Sequence, residues 1–425
     1  MKKKVKENKV NNTIFEEGRN IEVKANCDVL IAGAGIAGIA AAIAAARNGK
    51  KVILLEREYG LGGMATLGLI TIYLPLDDGE GNQVIFGIGE ELLRLSILHG
   101  AEGDLPKAWL EGGSVEEKIK HRFVVQYNPH LFNLELEKLL TDLGVRILYG
   151  TLACGVNMDG SRISEVIIEN KSGRSAIKAE SYIDCTGDAD LCHLAGAKTV
   201  LHSKGNALAN WYYYFTKGNI SLKMFGLADV VPSAKDSTQS QDSTQGRTRG
   251  NSDYRNEKVE RIGDTRFSGI DGEELSDAVL EAHTLMYKDI LEKRAEKSDF
   301  VPVTTSAIPL VRMSRRLDGA YVMSDMENRI FMEDSIGMTG DWRKRGPAYE
   351  LSYRTLYGNE ISNLLAAGRC ISVDEGMWDI TRVIPPCAVT GEAAGTAASL
   401  TSDFKNLDVK MLQARLEAQG VKLHL

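Results

Sequence analysis

No apolar run in this 425-residue chain approaches the ~20 residues that a membrane-spanning helix needs. The basic start, MKKKVKENKVNN, has no apolar stretch behind it. It therefore does not read as a secretory leader and is expected to be a solvated tail. Cysteine is sparse: Cys27, Cys154, Cys185, Cys192, Cys370 and Cys387 are scattered, and no C-x-x-C pattern occurs. Scattered thiols in a chain of this size argue against a disulfide frame and for a reduced, cytoplasmic protein. An excess of basic charge is also missing: 51 Lys and Arg against 58 Asp and Glu leave a net charge of −7. That balance gives no footing to nucleic acid or an anionic membrane as partner. The length suits one large or two medium domains.

What is present is concentrated first between Asp28 and Arg57, DVLIAGAGIAGIAAAIAAARNGKKVILLER. Val29 to Ala32 is a short apolar run suited to a buried parallel strand. Gly33, Gly35 and Gly38 then form G-x-G-x-x-G. In that pattern the first glycine makes the tight turn, the second lets backbone approach a pyrophosphate, and the third lets helix pack on strand. The spacing predicts an alanine-rich helix from Ile36 to Asn48, stopped by Gly49, and a second strand from Val52 to Leu55. A helix N-terminus offers N–H groups and a positive dipole end to a diphosphate. Glu56, at the end of the second strand, can accept hydrogen bonds from ribose hydroxyls. An ordinary βαβ unit without ligand is the alternative, but strand, helix and acid all stand where dinucleotide binding needs them.

After Glu56, Gly60, Gly62, Gly63 and Gly68 mark a flexible turn. It is either a surface loop or, as its place on the ligand side of the sheet favours, a cofactor contact. Glu90 to His99 reads as an amphipathic helix, and Ser114 as an N-cap. Pro129 opens a helix that Gly144 ends, with Leu131, Leu134, Leu136, Leu139, Leu140 and Leu143 as a wide apolar stripe. Strands are expected at VRILYG, at Leu152 to Val156, and in a hairpin around Gly173 that ends at Tyr182 and Ile183. Cys185-Thr186-Gly187-Asp188 is then a polar turn of the kind at which α/β sheets hold ligands. Asp188 could equally cap the helix that begins at Asp190.

From about 201 to 345 the character changes. Trp211, Tyr212, Tyr213 and Tyr214 suggest a strand, Glu273 to Lys297 a long charged helix, and Pro302 to Val311 a further strand-like run. Residues 228–268 are mostly polar and are expected to be a mobile, solvated insertion rather than a lid. The apolar ISNLLAAGR and the small-residue helix from Cys387 to Leu400, led by a rigid turn at Pro385 and Pro386, return to the style of the first block. The expected organisation is a tail (1–24), a first part of a nucleotide-binding domain (25–200), an inserted substrate or cap domain (201–345), and the C-terminal part of the first domain (346–425).

These motifs together resemble the bacterial FAD-dependent oxidoreductases of the FAD-oxidored family, relatives of the glutathione-reductase-like and fumarate-reductase-like flavoproteins. The resemblance rests on the first βαβ block, on GLGGMATLG, on YIDCTGDADLCHLAGA, and on the block from SYRTLYGNEIS to GEAAGTAASL with RMSRRLDGAY upstream. It implies an α/β chain with a Rossmann-like, central-parallel-sheet domain and an inserted α+β substrate domain. It also implies FAD bound in extended form. Gly33, Ala34, Gly35, Ile36, Ala37 and Gly38 would hold the pyrophosphate, and Glu56 with Arg57 the adenosine ribose. Gly62, Gly63, Met64, Ala65 and Thr66 would lie along the ribityl and flavin, and Leu152 or Ala153 near the adenine. Thr186, Gly187 and Asp188 would sit beside the cofactor. Gly368 and Arg369 would approach its second half, and Arg382, Val383, Ile384 and Pro385 would reach the flavin. The chain departs from some relatives: it has no second G-x-G-x-x-G for NAD(P)H, no C-x-x-C for disulfide exchange, and no histidine in the GGMATLG loop for a covalent flavin link.

The activity so implied is transfer of hydride or electrons between a small polar metabolite and flavin N5, with an unidentified electron donor or acceptor. Electron relay to a protein partner and a structural or non-redox use of FAD are the alternatives, and the oligomeric state stays open. Candidate catalytic groups are Arg316, Arg354, Asp379 and Arg382, with Arg315, Tyr349 and Tyr353 nearby in sequence. The arginines suit a carboxylate clamp, and Asp379 or a tyrosine suits proton transfer. Arg315 and Arg316 could instead be structural ion-pair partners. No metal site is expected.

Overall fold

The structure is a computed structural model that describes residues 13–226 and 262–425. The basic start of the tail and residues 227–261, which include most of the polar segment 228–268, lie outside the described residues. The chain begins with β1 (Val23–Ala32), α1 (Ile36–Arg47) and β2 (Val52–Leu55). Next come α2 (Ile88–Ser96), α3 (Pro129–Asp142), β3 (Arg146–Leu148), β4 (Leu152–Asp159), β5 (Arg162–Asn170) and β6 (Gly173–Asp184). β7 (Asn210–Thr216), β8 (Asn219–Phe225), α4 (Gly272–Glu296) and β9 (Val301–Thr305) form the middle block. The chain closes with β10 (Ser335–Gly340), β11 (Ala348–Ser352), β12 (Leu364–Ala366), α5 (Glu375–Thr381), α6 (Ile384–Leu400) and α7 (Val409–Ala418).

The main sheet has seven strands in the order β3-β2-β1-β6-β5-β4, with β12 also paired to β6. β3, β2, β1, β6 and β12 are parallel, and β5 and β4 are antiparallel additions. The register aligns Ala32 with Leu55 on one side and with Asp184 on the other, and Ala366 with Asp184. The carboxyl ends of four parallel strands therefore finish at one edge, where open α/β sheets hold ligands. Val29, Leu30 and Ile31 are wholly buried because both faces of the strand are covered.

Two helices of small residues make the layer over this edge. α1 is buried from Ile36 to Ala45, and α6 from Ile384 to Ala398. A helix apolar all round must be buried on every side. Gly391 and Gly395 make the close approach: a Cβ at these positions would lie 2.2 Å from the Ala37 carbonyl oxygen and 2.1 Å from that of Ala41. Glu392, between them, accepts the Ile88 amide at 2.8 Å and so satisfies a donor at the start of α2.

The middle block builds its own three-stranded antiparallel sheet, β8-β7-β9, with α4 against it through Met286, Ile290, Tyr212 and Phe300. β10 pairs with β11 across residue 345 and packs on α6, so the hairpin joins the end of the expected insertion to the main body.

Several expectations shift. The helix expected at Glu90–His99 begins two residues earlier, at Ile88, and ends at Ser96. The wide leucine stripe of α3 narrows, because Leu131 and Leu134 are 43% and 60% exposed while Leu136 and Leu140 are buried. The strand expected at Pro302–Val311 covers only Val301–Thr305. Pro385 and Pro386 do not precede the last small-residue helix; they occupy its first turn, where their missing N–H groups cost nothing. Residues 262–268, expected to be mobile, include Arg266 and Phe267, which pair as a strand with Asn206 and Ala207. Ser114 does cap a short helix, reciprocally with Glu117.

Candidate functional site

The glycines of the first turn are demanded by different neighbours. Gly33 has φ +95°, and a Cβ there would lie 2.4 Å from the Cys185 carbonyl oxygen. A Cβ at Gly38 would lie 1.9 Å from the Gly33 carbonyl oxygen. Both are fixed by contacts within the protein. Gly35 is not: it has ordinary extended dihedrals (φ −66°, ψ 177°), and a Cβ there would meet nothing within 4 Å. It is the N-cap of α1, makes no side-chain cap, and no acidic residue stands in the first turn. The first N–H groups of a helix have no intrahelical acceptor, so this end presents donors and open space together.

The loop after β2 lies against that turn. Gly62 pairs with Gly35 as a bridge, and the Gly62 amide donates to the Ala34 carbonyl at 2.9 Å. Gly63 has φ +53° and sits over the Gly35 Cα. Met64 and Ala65 form a single helical turn behind it, closed by the Thr66 hydroxyl on the Leu61 carbonyl. The turn expected to be flexible is mostly buried and closely hydrogen-bonded.

Glu56 is buried, and its two oxygens accept the Ala34 and Glu58 amides at 2.9 Å each. Burial pushes its carboxyl above the usual range, and the two amides oppose that shift. Thr151 donates to the Glu56 carbonyl, which brings Leu152 and Ala153 to the same end of the sheet. Leu152 is nearly half exposed there. Arg57 is exposed, and its Nε lies 3.6 Å from Glu58.

The polar turn after β6 completes one wall. Thr186 Oγ1 donates to Asp184 at 2.7 Å and accepts the Asp190 amide at 3.0 Å. Asp188 does not cap the next helix: Ala189 holds the cap position, with no side-chain bond. The Asp188 carboxylate instead accepts the Ser314 hydroxyl and faces Arg369 Nη2 at 3.6 Å. Gly187 has φ +87°, a conformation that favours glycine, and a Cβ there would also lie 2.2 Å from Arg369 Nη2. Gly368 has φ +74° and packs on Ala37, close to Cys387. Val383 is the N-cap of α6, so the N-termini of α1 and α6 border the same region as Gly368 and Arg369. Burial pushes the Cys387 thiol up to about 12, which fits a packed, unreactive group.

The four candidate catalytic residues do not form one cluster. Arg382 and Asp379 are paired, with Nε 2.9 Å from the carboxylate, and Arg343 stands 3.5 Å from the other Asp379 oxygen. Arg316 spends its guanidinium on the Leu317 carbonyl and lies over the Trp378 ring. Arg354 pairs with Asp334 at 2.9 Å, lies over the Tyr321 ring, and its side chain is 47% exposed. Arg315 is held by Asp190 at 2.6 Å and by the Asp188 carbonyl at 2.9 Å, an ion pair of the kind that stood as one of its two expected roles. Tyr349 and Tyr353 donate to backbone carbonyls, and burial raises both hydroxyls. Neither is poised to move a proton.

Sequence reasoning missed Arg312. Its backbone is pinned by Asn206, whose side chain accepts the Arg312 amide at 2.8 Å and donates to the Met313 carbonyl at 2.7 Å. Its guanidinium lies over the Trp211 ring, 5.5 Å from the centroid, and its Nε is buried without an acceptor. Arg369 donates to the Val311 and Arg312 carbonyls beside it. Burial first, then the charges of Arg382 and Arg369, pull Arg312 down to about 9. A lone arginine in the run VRMSRR carries no pattern that separates it from its neighbours.

A family profile described as FAD dependent oxidoreductase matches residues 28–416. A thioredoxin reductase of Ureaplasma parvum is 34% identical over 95 residues, 22% of this chain and 28% of that protein. The tRNA uridine 5-carboxymethylaminomethyl modification enzyme MnmG of Chlorobium phaeovibrioides is 25% identical over 183 residues, 41% of this chain and 27% of its own length. The chain thus spans less than a third of each of these two relatives. Among solved structures, a geranylgeranyl bacteriochlorophyll reductase-like protein of Thermoplasma acidophilum aligns over 93% of this chain and 83% of its own, at 13% identity and a TM-score of 0.42, a likeness too slight to add weight. The open cradle at Gly35, the buried acid at the end of β2 and the paired N-termini of α1 and α6 fit a flavin dinucleotide, and with a profile match from 28 to 416 the chain belongs to the FAD dependent oxidoreductase family.

Proposed function

We propose that this chain is an oxidoreductase that binds FAD in extended form and passes hydride or electrons between a small polar metabolite and the flavin. The observation that carries the reading is Gly35: nothing in the protein requires glycine there, yet the space beside it is open at a helix N-terminus. A diphosphate needs that combination. Glu56, at the end of β2, would accept hydrogen bonds from ribose hydroxyls and would repel a 2′-phosphate. The first turn of α6, two prolines with no capping side chain, would direct its positive dipole end at electron-rich atoms of the ring system. When bound, the flavin supplies the redox chemistry; the protein binds, orients and excludes water.

The small sheet packs on the loop after β2 through Trp211, Leu310 and Leu69, so the metabolite would meet the flavin at the junction of this sheet with the main body. An electron donor or acceptor for the second half-reaction is part of the same proposal. No helix among the described residues is long and apolar enough to cross a membrane. The test begins with the purified protein: it should carry, or take up, one FAD per chain and show the visible absorbance of a bound flavin. Anaerobic bleaching by members of a metabolite panel, with NADH and NADPH as separate arms, then identifies the reductant. Protein that takes up no FAD at micromolar concentration would sink the reading.

A further inference from the structure

Resting on that reading, we propose that Arg312 and Trp211 bind a carboxylate of the substrate at the junction between the small sheet and the main body. Two buried donors there have no acceptor: Arg312 Nε and Trp211 Nε1. They belong to side chains stacked on one another, with the guanidinium carbon 5.5 Å from the ring centroid. Unpaired buried donors are rare because each forfeits its hydration without return. Two in one stack call for an acceptor-rich group from outside the chain.

Charge says which kind. Among the described residues no carboxylate lies within 4 Å of the Arg312 guanidinium, although Arg315, Arg343, Arg354, Arg369 and Arg382 each have an acidic partner within that distance. Arg316 also lacks a counter-ion but donates to the Leu317 carbonyl, whereas the Arg312 guanidinium has neither counter-ion nor hydrogen-bond acceptor among the described residues, and Arg369 and Arg382 add to the positive field around it. A guanidinium whose Nε is withdrawn from water without a partner is destabilised unless an anion arrives. A planar carboxylate matches the guanidinium fork. The anchor is rigid: Asn206 locks the Arg312 backbone from both sides, and Trp211 is fixed in β7. Rigid placement is what lets a binding arginine orient a substrate rather than merely attract it.

The cofactor diphosphate is the other anion that could use this charge, and the test separates the two. The holoprotein is titrated with oxalate, succinate and benzoate at constant ionic strength, following the flavin difference spectrum, with succinamide, benzamide and inorganic phosphate as controls. At least one carboxylate should give a saturable perturbation that the amides do not. Arg312→Gln should weaken it by at least about tenfold, Arg312→Lys by less, with the FAD dissociation constant unchanged in both. Trp211→Phe, which keeps the ring and removes the N–H, should weaken it severalfold and decides the matter if Arg312→Gln does not fold. Equal response to amides and carboxylates, or carboxylate binding unaffected by these substitutions, overturns the proposal. So does a fall in FAD affinity in Arg312→Gln, because the guanidinium then serves the diphosphate. A wild-type protein that binds no FAD fails at the earlier step, the proposed function itself.

Discussion

A Cβ on Gly391 would stand 2.2 Å from the carbonyl oxygen of Ala37, so α6 touches the backbone of α1 with nothing between. This contact sets how the C-terminal helix completes the region begun by the first glycine turn. Gly391→Ala must push the helices apart or bend one. Overpacking of this kind costs about 1–3 kcal/mol. The expected result is a lower denaturation midpoint by chemical unfolding and weaker FAD retention, because Ala37 lies in the turn proposed to seat the diphosphate.

Gly35 predicts the opposite sign for stability. Its dihedrals suit serine, and the space beside it is open. Serine is a better N-cap than glycine, by a few tenths of a kcal/mol (roughly). Gly35→Ser should therefore leave the apo-protein as stable as before, or slightly more so. Its hydroxymethyl group fills the space a diphosphate would enter, and FAD affinity should fall at least about tenfold. Unchanged affinity, measured by flavin fluorescence quenching, would show that the ligand does not approach this turn.

Glu392 predicts a pH dependence. Burial raises its carboxyl from 4.5 to about 8, against the Ile88 amide and Arg47, which lower it. The folded state then holds a proton that the unfolded chain releases near 4.5. The contribution to stability is full below about pH 4.5, declines as pH rises, and is lost above about 8. Glu392→Gln keeps an acceptor for Ile88 and removes the titration. The stability difference between variant and wild type, measured by denaturant titration, should move in favour of the variant from pH 5 to pH 8. A difference that stays constant would show that Glu392 is ionised in the folded protein.

The six thiols predict a labelling pattern. Cys27, Cys185, Cys192, Cys370 and Cys387 are buried, and burial raises each thiol above its usual range. Cys154, on β4, is half-buried. A disulfide reagent at pH 7.5 should modify no more than about one thiol per native chain, at Cys154, and all six after denaturation. Fast modification of Cys387 in the native protein would mean that the start of α6 is open to solvent.

Much of the ligand-facing edge was legible in the sequence because it is local. A strand, a glycine turn and a helix are set by residues within thirty positions of one another, and Gly33, Gly35 and Gly38 each answer a need that spacing reveals. The pairing of Arg315 with Asp190, the separation of Arg316 and Arg354 from Asp379, and the unpartnered state of Arg312 were not legible. They depend on which acceptor the fold brings within 3 Å of each guanidinium, across separations of more than a hundred residues in the case of Arg315.

The order of letters alone determined the βαβ start, the acid at the end of β2 and the small-residue helix near the C-terminus. Backbone conformation and close helix packing are dictated by side-chain size at fixed spacings. Only the tertiary structure decided that Gly391 and Gly395 serve contact with α1, that Asp188 belongs to Ser314 and Arg369 rather than to a helix cap, and that Arg312, unlike Arg315 and Arg316 beside it, finds neither a counter-ion nor a hydrogen-bond acceptor among the described residues. Charge is identical in every arginine of a sequence; what differs is the environment, and that exists only once distant segments have come together.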